Sequence, residues 1–90
     1  MFWKATDRWN NEIILTEERW RHICEGHWEL EDRLEQVLDT IRYGRREQAA
    51  LDPTKYRYWR EFPDLPAHYT RIVVVVRLAR NKFVITAYPK

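Results

Sequence analysis

The residues with chemistry to offer are three histidines, a set of arginines and the hydroxyls near the C-terminal end. His27 follows Trp20, Ile23 and Cys24 at helical spacing and comes just after Gly26, so its imidazole is predicted at the end of a helix. Imidazole exchanges protons near neutral pH and is the commonest general acid or base. A structural histidine bonded to a backbone carbonyl is the plainer account of the same position. His22 lies off that stripe and reads as a surface residue, and His68 is distant. His22 and His27 are five apart, about 500° of helical rotation, so they point different ways. With one cysteine (Cys24) and no acidic cluster beside the histidines, the chain predicts no metal site and no internal disulfide. The second group is Arg71, Arg77, Thr86 and Tyr88. Guanidinium forks suit phosphate oxygens, and a tyrosine ring can stack on an unpaired base. Tyr56 and Arg57 join Arg77 as candidate substrate-binding residues. Each of these also has an ordinary reading as a strand residue.

The elements that must position them follow from pattern. Arg71–Leu78 contains Val73, Val74, Val75 and Val76 in succession, β-branched residues that fit a pleated sheet better than a helix. Lys82–Tyr88 reads as its partner across a tight turn at Ala79–Asn81, with Asn81 suited to a short hairpin. A loop symmetric about Arg80 and Asn81 pairs Leu78 with Phe83, Val76 with Ile85 and Val74 with Ala87 on an apolar face. It pairs Arg77 with Val84, Val75 with Thr86 and Val73 with Tyr88 on the other. A bulge would change that register.

Upstream, Thr16 is a good N-cap, and Glu17 and Glu18 favour the positive end of the helix that follows. A second helix is predicted from about Glu29 to Arg42, with Leu30, Leu34, Val37, Leu38 and Ile41 on one face. After Gly44 the pattern turns to strands: Arg45–Leu51, then Tyr56–Phe62 beyond a turn at Asp52–Thr54. Pro63 and Pro66 exclude a strand between there and Tyr69. Residues 1–12, with Phe2, Trp3 and Trp9, show no clean period and read as an extension. The expected fold is a single α+β domain, 1–90, with two N-terminal helices packed on a four-stranded antiparallel meander.

Composition narrows the functions. The chain has 44% hydrophobic and 33% charged residues, which is globular rather than disordered. Two glycines are too few for a Gly-rich phosphate loop or a dinucleotide fingerprint. No signal peptide is expected at Met1–Thr16, and no apolar run approaches the roughly 18 residues a membrane helix needs. A lone cysteine fits a reducing cytoplasm. Residues 1–41 carry five basic and ten acidic groups, whereas 42–90 carry eleven basic and four acidic. The basic half suggests a sheet that faces a polyanion.

Two stretches carry a resemblance. TEERWRHICEGHWEL (Thr16–Leu30) and VVVVRLARNKFVITAY (Val73–Tyr88) resemble phage- and plasmid-associated toxin-like proteins of the barnase–EndoU–colicin–RelE superfamily. That family's motifs read roughly His-Pro-Glu after the first helix and Ile-Thr-Ala-Tyr in the last strand. Trp28 stands here where proline is usual, and Tyr43–Gly44 where Pro-Asp is common. The resemblance implies a RelE/barnase-like fold and a ribonuclease needing no metal or other cofactor, often the toxin of a toxin–antitoxin pair, with RNA and a cognate antitoxin protein as partners. It carries His27, Thr86 and Tyr88 over as catalytic residues, with Arg71 as the basic member and Arg77 second. Two other readings stay open. One is a non-catalytic module of the same fold that binds RNA or an antitoxin. The other is an interaction protein using Tyr56, Tyr58 and Trp59 as an exposed interface.

Overall fold

The computed structural model describes residues 1–90. The chain opens with a hairpin, β1 (Phe2–Thr6) and β2 (Glu12–Thr16), and continues through α1 (Glu17–Gly26), a 3₁₀ turn (Trp28–Leu30) and α2 (Leu34–Tyr43). Four strands complete it: β3 (Arg45–Gln48), β4 (Lys55–Glu61), β5 (Arg71–Leu78) and β6 (Lys82–Pro89). All six strands form one mixed sheet in the order β1-β2-β6-β5-β4-β3. Neighbours are antiparallel except β2 and β6, which run parallel and meet at Ile14 and Phe83.

This corrects the expected fold, which had two leading helices on a four-stranded antiparallel meander. The first hairpin precedes the helices and extends the sheet beyond β6. Its strands escape a periodic reading because β1 is an edge strand in which Ala5 alone is fully buried, so no alternation shows. No helix is long and apolar enough to cross a membrane.

Local chemistry explains the helix ends. Thr16 caps α1, its hydroxyl oxygen accepting the Arg19 N–H at 3.1 Å. The predicted second helix starts late: Trp28–Leu30 is a 3₁₀ turn, and α2 runs only from Leu34. Arg33, just before α2, turns to the loop between β4 and β5, donating to the Asp64 carboxylate at 3.1 Å and the Asp64 carbonyl at 2.8 Å. The break lets Leu30, from the 3₁₀ turn, and Val37, Leu38 and Ile41, from α2, all enter the core.

The core lies between the helices and one sheet face, built from Ile13, Leu15, Tyr58, Ile72, Val74, Val76, Val84 and Ala87. In the central hairpin Val73–Tyr88, Val74–Ala87 and Val75–Thr86 pair as expected, but Ile85 bulges out. Val76 therefore faces Val84, Arg77 faces Phe83 and Leu78 faces Lys82. Val84 becomes a core residue, 2% exposed, and Phe83 is left 39% exposed, the reverse of a bulge-free register.

The sheet is curled so far that the chain leaving β1 meets the opposite edge. There Asp7, whose side chain is wholly buried, accepts hydrogen bonds from the Asn11 N–H at 2.8 Å, the Trp9 N–H at 2.9 Å and the Tyr58 hydroxyl of β4. The Arg46 guanidinium of β3 lies 3.5 Å from the same carboxylate, between the rings of Trp9 and Tyr56. Burial works to raise the Asp7 carboxyl, but the bonds from Tyr58, Asn11 and Trp9 outweigh it and hold the group below the usual range. Burial and donation to Asp7 push the Tyr58 phenol up. Nearby, α2 passes into β3 at Gly44, where a Cβ would fall 2.6 Å from the Trp59 carbonyl oxygen and closer still to that of Thr40.

These contacts set measurable stabilities. Asp7→Asn is expected to cost about 2–3 kcal/mol in urea unfolding, because it removes the charge that Arg46 and Tyr58 are built around. Tyr58→Phe is expected to cost about 1.5 kcal/mol. Asp7 has a lowered folded pKa, so its contribution is present above the unfolded value near ~3.9 and is lost as pH falls through the folded value. The raised Tyr58 phenol acts at the other end: its contribution is complete below ~10 and lost as pH rises through the folded pKa. Losses below about 0.5 kcal/mol in both variants would show that the curl is held by other contacts. Gly44→Ala, which must displace backbone, is expected to cost about 1–3 kcal/mol.

Candidate functional site

Pleating sends Arg57, Trp59 and Glu61 of β4 to the sheet face away from the core, with Arg71, Val73, Val75 and Arg77 of β5 and Thr86 and Tyr88 of β6. Cross-strand pairing sets these into rows. Arg45, Trp59, Val73 and Tyr88 form one row; Glu47, Arg57, Val75 and Thr86 form the next; Glu61 and Arg71 flank the first on its other side. Between them opens a cleft of about 370 Å³ lined by Glu47, Arg57, Trp59, Arg71, Val73, Tyr88 and Lys90. Lys90 is held there by its backbone, which exchanges two hydrogen bonds with Arg71 at 2.9 and 3.1 Å.

The cleft is cationic and aromatic. The Arg71 guanidinium lies 4.6 Å from the centre of the Trp59 ring, and that of Arg45 5.3 Å from it. Such contacts hold a planar cation flat while its N–H groups remain able to donate. The one acid among the lining residues, Glu47, accepts from Arg57 at 3.1 Å. Val73 forms an apolar floor, 5% exposed although it faces away from the core.

His27 stands at the end of the central row. It caps α1 through its backbone, N–H to the Ile23 carbonyl at 2.8 Å, while its side chain makes no capping bond. Its ring centre is 6.3 Å from that of Tyr88, tilted by 42°. The 3₁₀ turn that follows holds the one buried side-chain polar atom without a partner, Oε1 of Glu29.

The predicted site residues thus divide. Arg57, Arg71 and Tyr88 line one cleft, His27 adjoins it through Tyr88, and Thr86 lies one pleat along β6 on the same face. Arg77 is on that face but at its far end, where it donates to the Thr54 hydroxyl at 2.9 Å and pairs with Asp52 at 3.6 Å. Tyr56 does not join the cleft: it points to the core side, against the core and beneath Arg46. The exposed interface of Tyr56, Tyr58 and Trp59 is corrected likewise, since Tyr58 is 0% exposed. Trp59 and Lys90 are cleft residues that the sequence reading did not place there. Alternation along β4 was the available signal for Trp59, because it separates that ring from Tyr56 and Tyr58. No three His, Cys, Asp or Glu side chains converge as metal ligands do.

Comparison with protein-family models, with curated proteins and with solved structures finds no match for this chain.

Glu47 is the acid that offsets the cleft's cations, so Glu47→Gln is expected to tighten polyanion binding. With Arg57 released, the slope of log affinity against log salt should steepen by about one. An unchanged slope in a filter-binding titration would mean that Arg57 does not reach the ligand.

Proposed function

We propose that this chain is a metal-independent endoribonuclease that cleaves RNA by attack of a ribose 2′-hydroxyl on the neighbouring phosphate. The observation that carries the proposal is the row ending in Tyr88 and His27 beside the cleft that holds Arg71, Arg57 and Lys90. Cationic donors and stacking rings line a cleft on the face away from the core, and the His27 imidazole adjoins it through the Tyr88 ring. The resemblance of the His27 and Thr86–Tyr88 stretches to the barnase–EndoU–colicin–RelE superfamily adds the expectation of ribonuclease chemistry.

In this mechanism His27 takes the proton from the 2′-hydroxyl, and the 2′-oxygen attacks phosphorus. Arg71 stabilises the charge that builds on the non-bridging oxygens, as preorganised donors do in phosphoryl transfer. Thr86 holds a phosphate oxygen. The bond from phosphorus to the 5′-oxygen breaks, the leaving oxygen takes a proton from Tyr88 or from water, and a 2′,3′-cyclic phosphate remains. Tyr88 and Trp59 offer surfaces on which the flanking bases stack. Within the same proposal the protein is the toxin of a toxin–antitoxin or phage-associated system.

The decisive assay is RNA cleavage with EDTA present. His27→Ala is expected to lower the rate by about 10²–10⁴-fold, and Arg71→Ala by about 10²–10³-fold. Arg77→Ala, at the far end of the face, should change it little. Equal rates in wild type, His27→Ala and Arg71→Ala would remove the assigned site, and loss of activity in EDTA would remove the metal-free mechanism. Salt-sensitive RNA binding without products would leave a binding module in place of the enzyme. The toxin role predicts growth arrest on expression, relieved by co-expression of the neighbouring reading frame.

A further inference from the structure

The side of α1 that carries Trp20 and Cys24 forms a second concave surface, separate from the cleft. It is a groove of about 340 Å³ lined by Met1 and Trp3 at the start of β1, Glu17, Trp20, Arg21 and Cys24 of α1, and Glu31 after the 3₁₀ turn. Its floor is apolar. Trp3 and Trp20 are half-buried against the core, and Met1 is 84% exposed. An apolar floor with a polar rim is the arrangement that docking grooves share.

The rim is anionic. Glu17 is partly neutralised by Arg21 at 3.5 Å, whereas Glu31 and its neighbour Asp32 are exposed and have no cationic partner. Burial, with the negative field of Glu31 and Asp32 added to it, raises the Cys24 thiol. The groove also belongs to the acidic half of the chain, where residues 1–41 carry ten acids against five bases. None of its lining residues lines the cationic cleft.

We infer that this groove docks a basic, apolar segment of a partner protein, one that places large apolar side chains on Trp3 and Trp20 and lysines or arginines against Glu17 and Glu31. Charge complementarity selects that occupant: an anionic lipid surface would be repelled by the rim, and a nucleic acid more strongly. The proposal is independent of the ribonuclease reading, because it uses the opposite charge and different residues.

A lysine–leucine amphipathic peptide of about 18 residues serves as the probe, with a glutamate–leucine peptide of the same pattern as its control. Cys24, the one cysteine of the chain, reports occupancy of this groove by its rate of alkylation with a maleimide. The lysine peptide is expected to slow alkylation at least about fivefold on saturation, and the glutamate peptide to leave it unchanged. Glu17→Lys/Glu31→Lys reverses two solvent-facing charges and is expected to weaken the lysine peptide by roughly tenfold or more. Glu17 stands in the first turn of α1 beside Arg21, so the double reversal is compared with wild type at a temperature where circular dichroism shows both fully folded, and Arg71→Glu, in the cleft, should bind the peptide as wild type does. Equal affinity for both peptides, or no loss in the double reversal, would overturn the proposal. So would Cys24 protection by the protein's own self-association in sedimentation, or by phosphatidylcholine–phosphatidylglycerol vesicles, because the occupant would then be a second copy or a membrane.

Discussion

A buried carboxylate holds the two ends of this sheet together. Asp7 lies beyond β1, at one edge, and its partners Tyr58 and Arg46 belong to β4 and β3, at the other. Burying an ionised group is unfavourable unless its oxygens are fully engaged, and here four donor groups and a guanidinium surround it. The curl this fixes wraps the sheet around α2, which packs against β1, β4 and β5 together. In a flat sheet β1 would stand three strands from β5, out of reach of a helix that lies over β4 and β5.

The curl also separates the two sheet faces by purpose. Inside it, Ile72, Val74, Val76, Val84 and Ala87 make the core with the helices. Outside it, the alternate residues of the same strands carry cations, rings and a hydroxyl. The bulge at Ile85 is what lets one strand serve both sides. It admits Val84 to the core without shifting Thr86 and Tyr88 from the outer face, where they pair with Val75 and Val73. The outer face is therefore fixed from behind, its side chains projecting from strands that the core holds in place.

Much of this was legible in the sequence where a local cause was sufficient. Four successive valines, the Thr16 cap, and Pro63 with Pro66 each act within a few residues, and the hairpin, the helix start and the loop follow from them. What stayed hidden depended on distant partners. β1 shows no period because it is an edge strand, and nothing local announces that β2 will lie parallel to β6. The late start of α2 depends on Arg33 meeting Asp64, 31 residues away. The bulge is decided by the fit of Val84 against a core the hairpin does not itself contain. At the site, strand alternation groups Arg57, Arg71 and Tyr88 on one face and sets Tyr56 on the other, so Tyr56 and Arg57, taken together as substrate-binding candidates, could not both reach one ligand.

The placement of His27 shows why two kinds of element are needed. Strands present side chains at fixed spacing, and here that spacing sets guanidinium groups and rings in rows across the sheet. The same regularity leaves little room for a side chain set at an angle to the row. A helix terminus supplies that angle: α1 brings His27 to the edge of β6 with its backbone already anchored to Ile23, so the ring is free of a capping duty. The helix itself is held by Ile23 in the core and by the Thr16 cap, both remote from the cleft. An imidazole mounted in this way can be replaced without unsettling the cations, and the cations can be replaced without moving the imidazole. That independence is what the proposed division of labour between proton transfer and charge stabilisation requires.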